Sequence, residues 1–393
     1  MAGFDKAQER GIIKGTLFEV AIMYLLQQNS FSRIQVKVNG KNTAVDRIRE
    51  TRERFIELKG RGEWHQIDCP CEYDYISPFM YPIRLIGEVK YHNQPIDKDA
   101  IRNFIGVLKD ISENYFVPPS IDNNASTEIL PCRFLDVGTF FSATGFSKSA
   151  ELLAYAHGIK TLSYKNNYMV YKIRCVIDGF EESIRYSTFT KNRQTILGFI
   201  NQQLNNKESS YYYKDYIPYY NELNDSLKAK LDKLYDEFKQ SLFLIRSNIF
   251  VTTHEGIMLH LLGDKEFPED CFLNTDEALC QIHYEIYTNQ SEMTLNEVKD
   301  LNKKRRSKKR KGTNEYISWY LTLDGDKTNT RFYFTPPQIL QTTLDLDKEK
   351  LLDTKEMMFQ RLSFTKDIHG TKRNLVLKIN KSWLKKLRNR IEE

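Results

Sequence analysis

The first 165 residues predict an α/β fold, and the rest of the chain predicts a strand-rich α+β domain. Apolar residues recur at helical spacing in residues 15–28, which indicates an amphipathic helix. Short apolar or alternating segments that are typical of strands follow, and helix and strand patterns then alternate up to residue 164. Such alternation favours an α/β sandwich, in which helices cover a sheet.

Capping residues set the ends of the later elements in this region. Asp97 precedes an amphipathic segment and is a suitable N-cap for a second helix. A buried strand is predicted from residue 134 to Ser142. Ser147 is expected to cap a third helix that ends at Gly158, and residues 159–164 predict one more strand.

A group of charged residues follows the apolar run that ends near residue 90. Residues two apart on a strand point to the same face, so Glu88 and Lys90 are expected side by side. If Asp68 ends a neighbouring strand, two carboxylates and a lysine converge. These are the groups of a divalent-metal site with an adjacent cation, which suits phosphodiester cleavage. Asp74 and Asp46 are alternatives for the position of Asp68.

Four segments of this region resemble the PD-(D/E)XK nuclease superfamily, specifically its Mrr-like restriction endonuclease branch. The resemblance implies a restriction-endonuclease-like α/β/α core, Mg²⁺ or Mn²⁺ as cofactor, and hydrolysis of DNA phosphodiester bonds. It covers about two-fifths of the chain. The matching segments are Gly15-x-x-Phe18-Glu19, Gln66-Ile67-Asp68, Glu88-Val89-Lys90, and Phe140 to Lys148 with the helix that follows and Gly158-Ile159.

The resemblance also implies a role for each matched residue. Asp68, Glu88 and the carbonyl of Val89 would hold the metal ion. Glu19 would be a further ligand of the metal or of a water molecule. Lys90 would lie beside the attacking water and stabilise the negative charge that develops in the reaction.

Other polar residues are candidate DNA contacts. Gln66 is expected to hydrogen-bond the phosphate or the attacking water. Four basic residues that flank the predicted cleft would contact phosphates without reading sequence: Lys14, Arg61, Lys98 and Arg102. Residues 303–311 contain eight basic side chains, and without them 50 basic residues face 52 acidic ones. This block, which includes Lys303, Lys304, Arg305 and Arg306, is expected to be solvated and to contact the DNA backbone.

Length and composition indicate more than one domain. The 393 residues, 40% of them hydrophobic, suffice for two or three cores. The predicted divisions are a nuclease domain at 1–165, a helical and tyrosine-rich connecting region at 166–245, and an α+β domain at 246–393. The last would bind DNA, a partner or a sensor. Residues 168–177 predict a strand, and residues 381–391 predict a terminal helix.

Histidine and cysteine offer weaker metal sites. His65 and His92 fit no compact ligand set. Cys69-Pro70-Cys71 has no second cysteine pair at zinc spacing, so a turn is expected there.

These features together predict a cytoplasmic metal-dependent endonuclease. No apolar run approaches the ~20 residues of a membrane span, and the first residues lack the pattern of a signal peptide. The expected activity is that of a prokaryotic restriction or anti-phage effector, controlled within a homo-oligomer or by defence-complex subunits. Two alternatives remain open: a catalytically inactive DNA-binding or scaffold protein with the same fold, and a nuclease that acts on RNA or branched DNA.

Overall fold

The computed structural model divides the chain into two compact units. The first comprises Met1–Thr161 and Val176–Lys239, and the second comprises Leu162–Cys175 and Gln240–Glu393. A mixed α/β composition is confirmed. The basic block at 303–311 and Asp46 lie outside the described residues. The structure describes residues 6–34, 37–38, 41–42, 47–51, 56–75, 79–114, 133–183, 223–288, 291–292, 315–338, 352–353 and 356–392.

A five-stranded mixed sheet lies at the centre of the first unit. The elements in chain order are α1 (Lys6–Gln27), β1 (Phe31–Arg33), β2 (Lys37–Val38), β3 (Lys41–Asn42), β4 (Ile48–Glu50), β5 (Ile56–Lys59), β6 (Trp64–Gln66), β7 (Cys69–Tyr73), β8 (Ile83–Lys90), α2 (Lys98–Glu113), β9 (Leu135–Ser142), α3 (Lys148–Ala156) and β10 (Lys160–Ser163). The sheet has the order β1-β7-β8-β9-β10. Strand β8 is antiparallel to β7 and parallel to β9.

Helices cover both faces of this sheet. On one face, Ile86 of β8 and Phe140 of β9 share a core with residues of α2 and α3. On the other, Tyr91, just beyond β8, packs edge-on against Phe18 of α1 at 5.5 Å between ring centroids. Side chains alternate along a strand, so α1 lies on the face opposite α2 and α3.

The predicted caps of α2 and α3 are confirmed, whereas the first helix, expected at residues 15–28, begins earlier, at Lys6. The Asp97 carboxylate accepts hydrogen bonds from the backbone N–H groups of residues 99 and 100 and so caps α2. The Ser147 hydroxyl caps α3 by accepting from Ala150 N. Gly158 follows α3 with a φ of +72°, which a residue without Cβ adopts at little cost.

A separate three-stranded antiparallel sheet, β4-β5-β6, contributes side chains to the hydrophobic core that α2 and α3 share with the main sheet. Ile48, Ile56 and Leu58 alternate with charged residues along β4 and β5, and their side chains are buried. One face of this small sheet therefore packs on the unit, and the other carries polar side chains.

The strands of the second unit close into a seven-stranded barrel. Strands β13 and β18 pair in parallel and complete the ring β13-β15-β16-β12-β11-β17-β18, with β14 paired to β13 outside it. Apolar residues from every strand of the ring fill the interior. The elements in chain order are β11 (Ser247–Thr253), β12 (Met258–Gly263), β13 (Glu277–Thr288), β14 (Ser291–Glu292), β15 (Glu315–Leu323), β16 (Phe332–Phe334), β17 (Leu362–Ile368) and β18 (Thr371–Ile379).

The described residues also contain three further α-helices, one of which corrects a prediction, and a short 3-10 helix at Glu269–Phe272. The three α-helices are α4 (Tyr168–Ser183), α5 (Asp225–Phe243) and α6 (Lys381–Glu392). The strand expected at 168–177 is the first part of α4. The side-chain oxygen of Asn167 accepts from Met169 N and Val170 N, which starts the helix. The helix predicted at 381–391 is confirmed.

A second correction concerns Cys69-Pro70-Cys71. These residues form the buried start of β7, not a turn. Pro70 has no N–H to donate, but its carbonyl accepts from Ile34 N at 3.0 Å. The proline therefore fits a strand in which only its acceptor is used.

Candidate active site

The ends of β7 and β8 bring the predicted acidic and basic residues together. Strands β7 and β8 pair with Cys69 opposite Gly87. Asp68 immediately precedes β7, and Glu88 and Lys90 lie at the end of β8. The antiparallel register therefore places Asp68 next to Glu88.

Two ion pairs and one backbone hydrogen bond join this group. Lys90 Nζ contacts Glu88 Oε1 and lies 3.6 Å from Asp68 Oδ2. The same Asp68 oxygen accepts a hydrogen bond from Val89 N at 2.9 Å. The side chains of Asp68 and Glu88 are 11% and 23% exposed, so both carboxylates are partly withdrawn from water. Below, Asp68, Glu88 and Lys90 are called the acid–lysine cluster.

Gly87 permits the close approach of the two strands beneath this cluster. A Cβ at position 87 would lie 2.7 Å from Cys69 Cβ and 2.9 Å from Cys69 O. The ring of Phe141 would also be 3.4 Å away. Only glycine therefore fits this register without displacing β7.

The electrostatics of the cluster follow from partial burial and mutual proximity. Burial raises the pKa of Glu88, and the charge of Asp68 raises it further, although Lys90 opposes both effects. Burial alone would lower the pKa of Lys90, but attraction to Glu88 and Asp68 outweighs it and raises that pKa. Lys90 therefore stays protonated, and Glu88 is more basic than an ordinary glutamate.

Helix α1 brings a third acid near the cluster. Glu19 lies on α1 and is partly buried. Its charge also raises the pKa of Lys90, by less than the charges of Glu88 and Asp68 do. The preceding residue, Phe18, contacts Tyr91. The hydroxyl of Tyr91 donates to Asp178 Oδ1 at 2.9 Å.

The described residues contain no group of three or more His, Cys, Asp or Glu side chains placed to hold a metal ion. The two carboxylates of the cluster nevertheless fit a hard divalent cation, because both already flank one cationic group, Lys90 Nζ. Mg²⁺ is commonly bound through one or two protein carboxylates and keeps several waters. Asp68 and Glu88 are the residues that would hold it.

The other candidate contacts do not join the cluster. Lys14 pairs with Asp178 at 3.0 Å. Arg61 lies in the β5–β6 turn and pairs with Glu113 at 3.2 Å, and Arg102 pairs with Asp99 at 2.7 Å. Gln66 ends β6 and is exposed, and Lys98 is exposed at the start of α2.

The alternative acid, Asp74, lies at the other end of β7. It accepts a hydrogen bond from the Ser32 hydroxyl at 2.6 Å. Of these two aspartates, it is Asp68, just before the strand, that contacts Lys90.

His92 lies close enough to Lys90 for the two charges to interact, a proximity that was not predicted from the sequence. Partial burial lowers its pKa, the charge of Lys90 lowers it further, and Asp97 acts in the opposite direction. The sequence carried a signal for this proximity, because His92 is only two residues beyond Lys90, the last residue of β8. Asp178 carried no such signal, since it lies 87 residues from its partner Tyr91.

Comparisons with known proteins identify no family. No family model and no curated protein matches the chain. A solved structure, the crystal structure of a protein of unknown function named AF1548, matches with a TM-score of 0.31 and 13% identity. That match covers 58% of this chain and 98% of the other chain. None of the helices in the described part of the chain is long and apolar enough to cross a membrane.

Proposed function

We propose that the chain is an endodeoxyribonuclease that depends on Mg²⁺ or Mn²⁺ and uses the acid–lysine cluster. The observation that supports this most is the meeting of Asp68, Glu88 and Lys90 at the ends of two paired strands. A strand-end pair of carboxylates with a lysine also matches the resemblance to restriction-endonuclease-like proteins. The mixed sheet covered by helices on both faces is consistent with that core.

Each residue of the cluster has a separate task in this proposal. Asp68 and Glu88 would hold the cation, and Val89 N fixes one Asp68 oxygen in place. The bound metal would polarise the scissile phosphate and lower the pKa of a water molecule. Lys90 remains protonated and places a positive charge where negative charge develops on the phosphoryl oxygens. Glu19 would orient water from the α1 side.

Cleavage of supercoiled plasmid DNA tests the proposal. Wild-type protein is expected to nick or linearise the plasmid with Mg²⁺ or Mn²⁺ and not with EDTA. Glu88→Ala and Lys90→Ala should each lose this activity by a factor of about 100 or more, the usual effect of removing one preorganised charge. Asp74→Asn is the matched control, because it alters a carboxylate just beyond the opposite end of β7, away from the cluster. Full activity in either cluster variant would refute the mechanism.

A second candidate is a DNA-binding protein with this fold that does not cleave. The lack of a three-ligand group among the described residues favours it. Titration with Mn²⁺ separates the candidates without relying on cleavage. The nuclease proposal requires that Mn²⁺ binding weaken in Asp68→Asn and Glu88→Gln, whereas an inactive protein would show no binding that depends on these residues.

The substrate and biological setting are also part of the proposal. Duplex DNA is the proposed substrate, and a panel that includes RNA and branched DNA tests this choice. The proposed setting is a regulated prokaryotic defence complex. Plaque assays that compare wild type with Glu88→Ala test that setting, because only the active protein should protect cells.

A further inference from the structure

The outer face of the small sheet β4-β5-β6 combines basic and aromatic side chains. Because Ile48, Ile56 and Leu58 point into the core, the alternating residues of β4 and β5 point outward. Register places Trp64 opposite Lys59, and Gln66 opposite Glu57. The residues of this outer face are Arg47, Arg49, Glu57, Lys59, Trp64 and Gln66, of which three are basic and one is acidic.

Trp64 holds two cations on this face. The guanidinium carbon of Arg49 lies 4.4 Å from the centroid of the Trp64 ring, and Lys59 Nζ lies 5.5 Å from it. Both distances are within the range of cation–π attraction. Arg49 also pairs with Glu57 across the strands, although its side chain remains 51% exposed. The aromatic ring thus keeps two positive charges close together at the surface.

The hairpin that carries Lys59 and Trp64 is fixed to α2. Asp110 of α2 accepts from Gly62 N at 3.0 Å and contacts His65 Nε2 at 2.7 Å. The side chain of Asn114 donates to the carbonyl of Lys59 at 3.0 Å. These bonds hold the outer face in place before any ligand binds, which reduces the entropy lost on binding.

The outer face and the acid–lysine cluster are close along the chain, because Asp68 follows the last residue of β6, Gln66, by two positions. Ile67 is buried, and its N–H donates to Ile56 O at 3.1 Å, so strand pairing continues beyond Gln66. Asp68 is the next residue, in the bend that precedes β7, and it lies four residues after Trp64. At 3.3 Å per residue, Trp64 and Asp68 are at most about 13 Å apart, the rise of about four nucleotides of one DNA strand.

We infer that this outer face binds the phosphate backbone of the DNA strand that enters the acid–lysine cluster. Arg49 and Lys59 contact phosphates, and Trp64 positions them. A polyanion fits because basic residues outnumber acidic ones on the face. Contacts of this kind add affinity without sequence preference. The inference rests on the proposed nuclease function for the choice of DNA as ligand, and it names the surface that function uses.

Fluorescence anisotropy with a labelled DNA duplex tests the inference in the full chain. Binding is measured in EDTA, so that no cleavage occurs. The double variant Arg49→Gln/Lys59→Gln should bind DNA at least about tenfold more weakly than wild type at about 0.15 M salt. The slope of log K against log salt concentration should become less negative by about 1.8. Trp64→Leu should weaken binding roughly fivefold or more. Lys233→Gln removes an exposed charge from α5 and should change neither quantity.

A variant with unchanged net charge separates a direct contact with DNA from the effect of the overall charge of the protein. Arg49→Gln/Glu57→Gln leaves the net charge unchanged, so weaker binding there would support a direct contact by Arg49. Unchanged affinity and unchanged salt slope in both double variants would overturn the inference, even if wild type cleaves DNA and Glu88→Ala does not. Loss of binding in these variants without cleavage by wild type would instead refute the nuclease function and support the surface. Failure of wild type to bind DNA would overturn both.

Discussion

Substitution of Gly87 by alanine should loosen the acid–lysine cluster without touching any of its charged groups. The new methyl group would lie 2.7 Å from Cys69 Cβ and 2.9 Å from Cys69 O. Favourable contacts between carbon atoms need about 3.5–4.0 Å, so β7 would have to move by about 1 Å. Asp68, next to Cys69, would move with it and lose the 2.9 Å hydrogen bond from Val89 N.

The expected cost can be worked from this overlap. Overpacking a buried site costs about 1–3 kcal/mol, and a backbone carbonyl cannot rotate out of the way. Reduced freedom of the unfolded chain returns about 0.4–1 kcal/mol. The midpoints of these two ranges leave a net loss of about 1.3 kcal/mol in the free energy of unfolding, which corresponds to about 3–5 °C in the Tm of a unit of this size. Differential scanning calorimetry of the full chain measures this shift.

Gly106→Ala is the matched control. Gly106 lies in α2, and nothing is within 4 Å of the position its Cβ would take. Alanine should stabilise that helix by about 0.5–1 kcal/mol. Mn²⁺ affinity should fall in Gly87→Ala and stay unchanged in Gly106→Ala. A Tm for Gly87→Ala at or above that of wild type, with Mn²⁺ affinity unchanged, would refute the strand-approach argument.

Two further predictions concern the charge of Glu88 and the anchor of the β5–β6 hairpin. Because the pKa of Glu88 is raised in the folded state, the folded protein keeps a proton on this carboxyl at pH values where the unfolded chain has lost it. The free energy of unfolding therefore falls as pH rises above the ordinary glutamate range. Glu88→Gln should therefore raise the Tm at pH 8 without metal by the equivalent of about 0.5–2 kcal/mol and have little effect at pH 4. A lower Tm at pH 8 would contradict this. Asp110→Ala should cost about 0.5–1.5 kcal/mol, because it removes the partly exposed hydrogen bonds to Gly62 N and His65. Hydrogen exchange should then accelerate in residues 56–66, and unchanged protection there would count against the anchor.

Local signals predicted the caps of α2 and α3 but not the start of α1, which lies at Lys6 and not near residue 15. Asp97, Ser147 and Gly158 act on backbone groups within a few residues, so the sequence alone places the ends of α2 and α3. The same type of local contact forms the turn after β15. There, Asp326 accepts from Thr328 N at 2.8 Å and from Thr330 N at 2.7 Å.

Two other elements were predicted wrongly or not at all, although local sequence features indicated them. Residues 168–177 are rich in β-branched and aromatic side chains, but the Asn167 cap and an apolar stripe at helical spacing make them a helix. The hairpin of β17 and β18 was not predicted. Its two-residue turn, His369-Gly370, has positive φ at both positions, which is a standard hairpin signal.

The sequence by itself determined that Glu88 and Lys90 share a face, since the two-residue period of a strand needs no knowledge of its neighbours. Tertiary structure decided which acid joins them. Asp68 contacts Lys90 because β7 and β8 pair with Cys69 opposite Gly87, and that register depends on the missing side chain of Gly87. Closure of the barrel was also a tertiary result, because it requires Glu277 to pair with Val376, 99 residues later. Contacts between residues so far apart depend on packing, which no local pattern encodes.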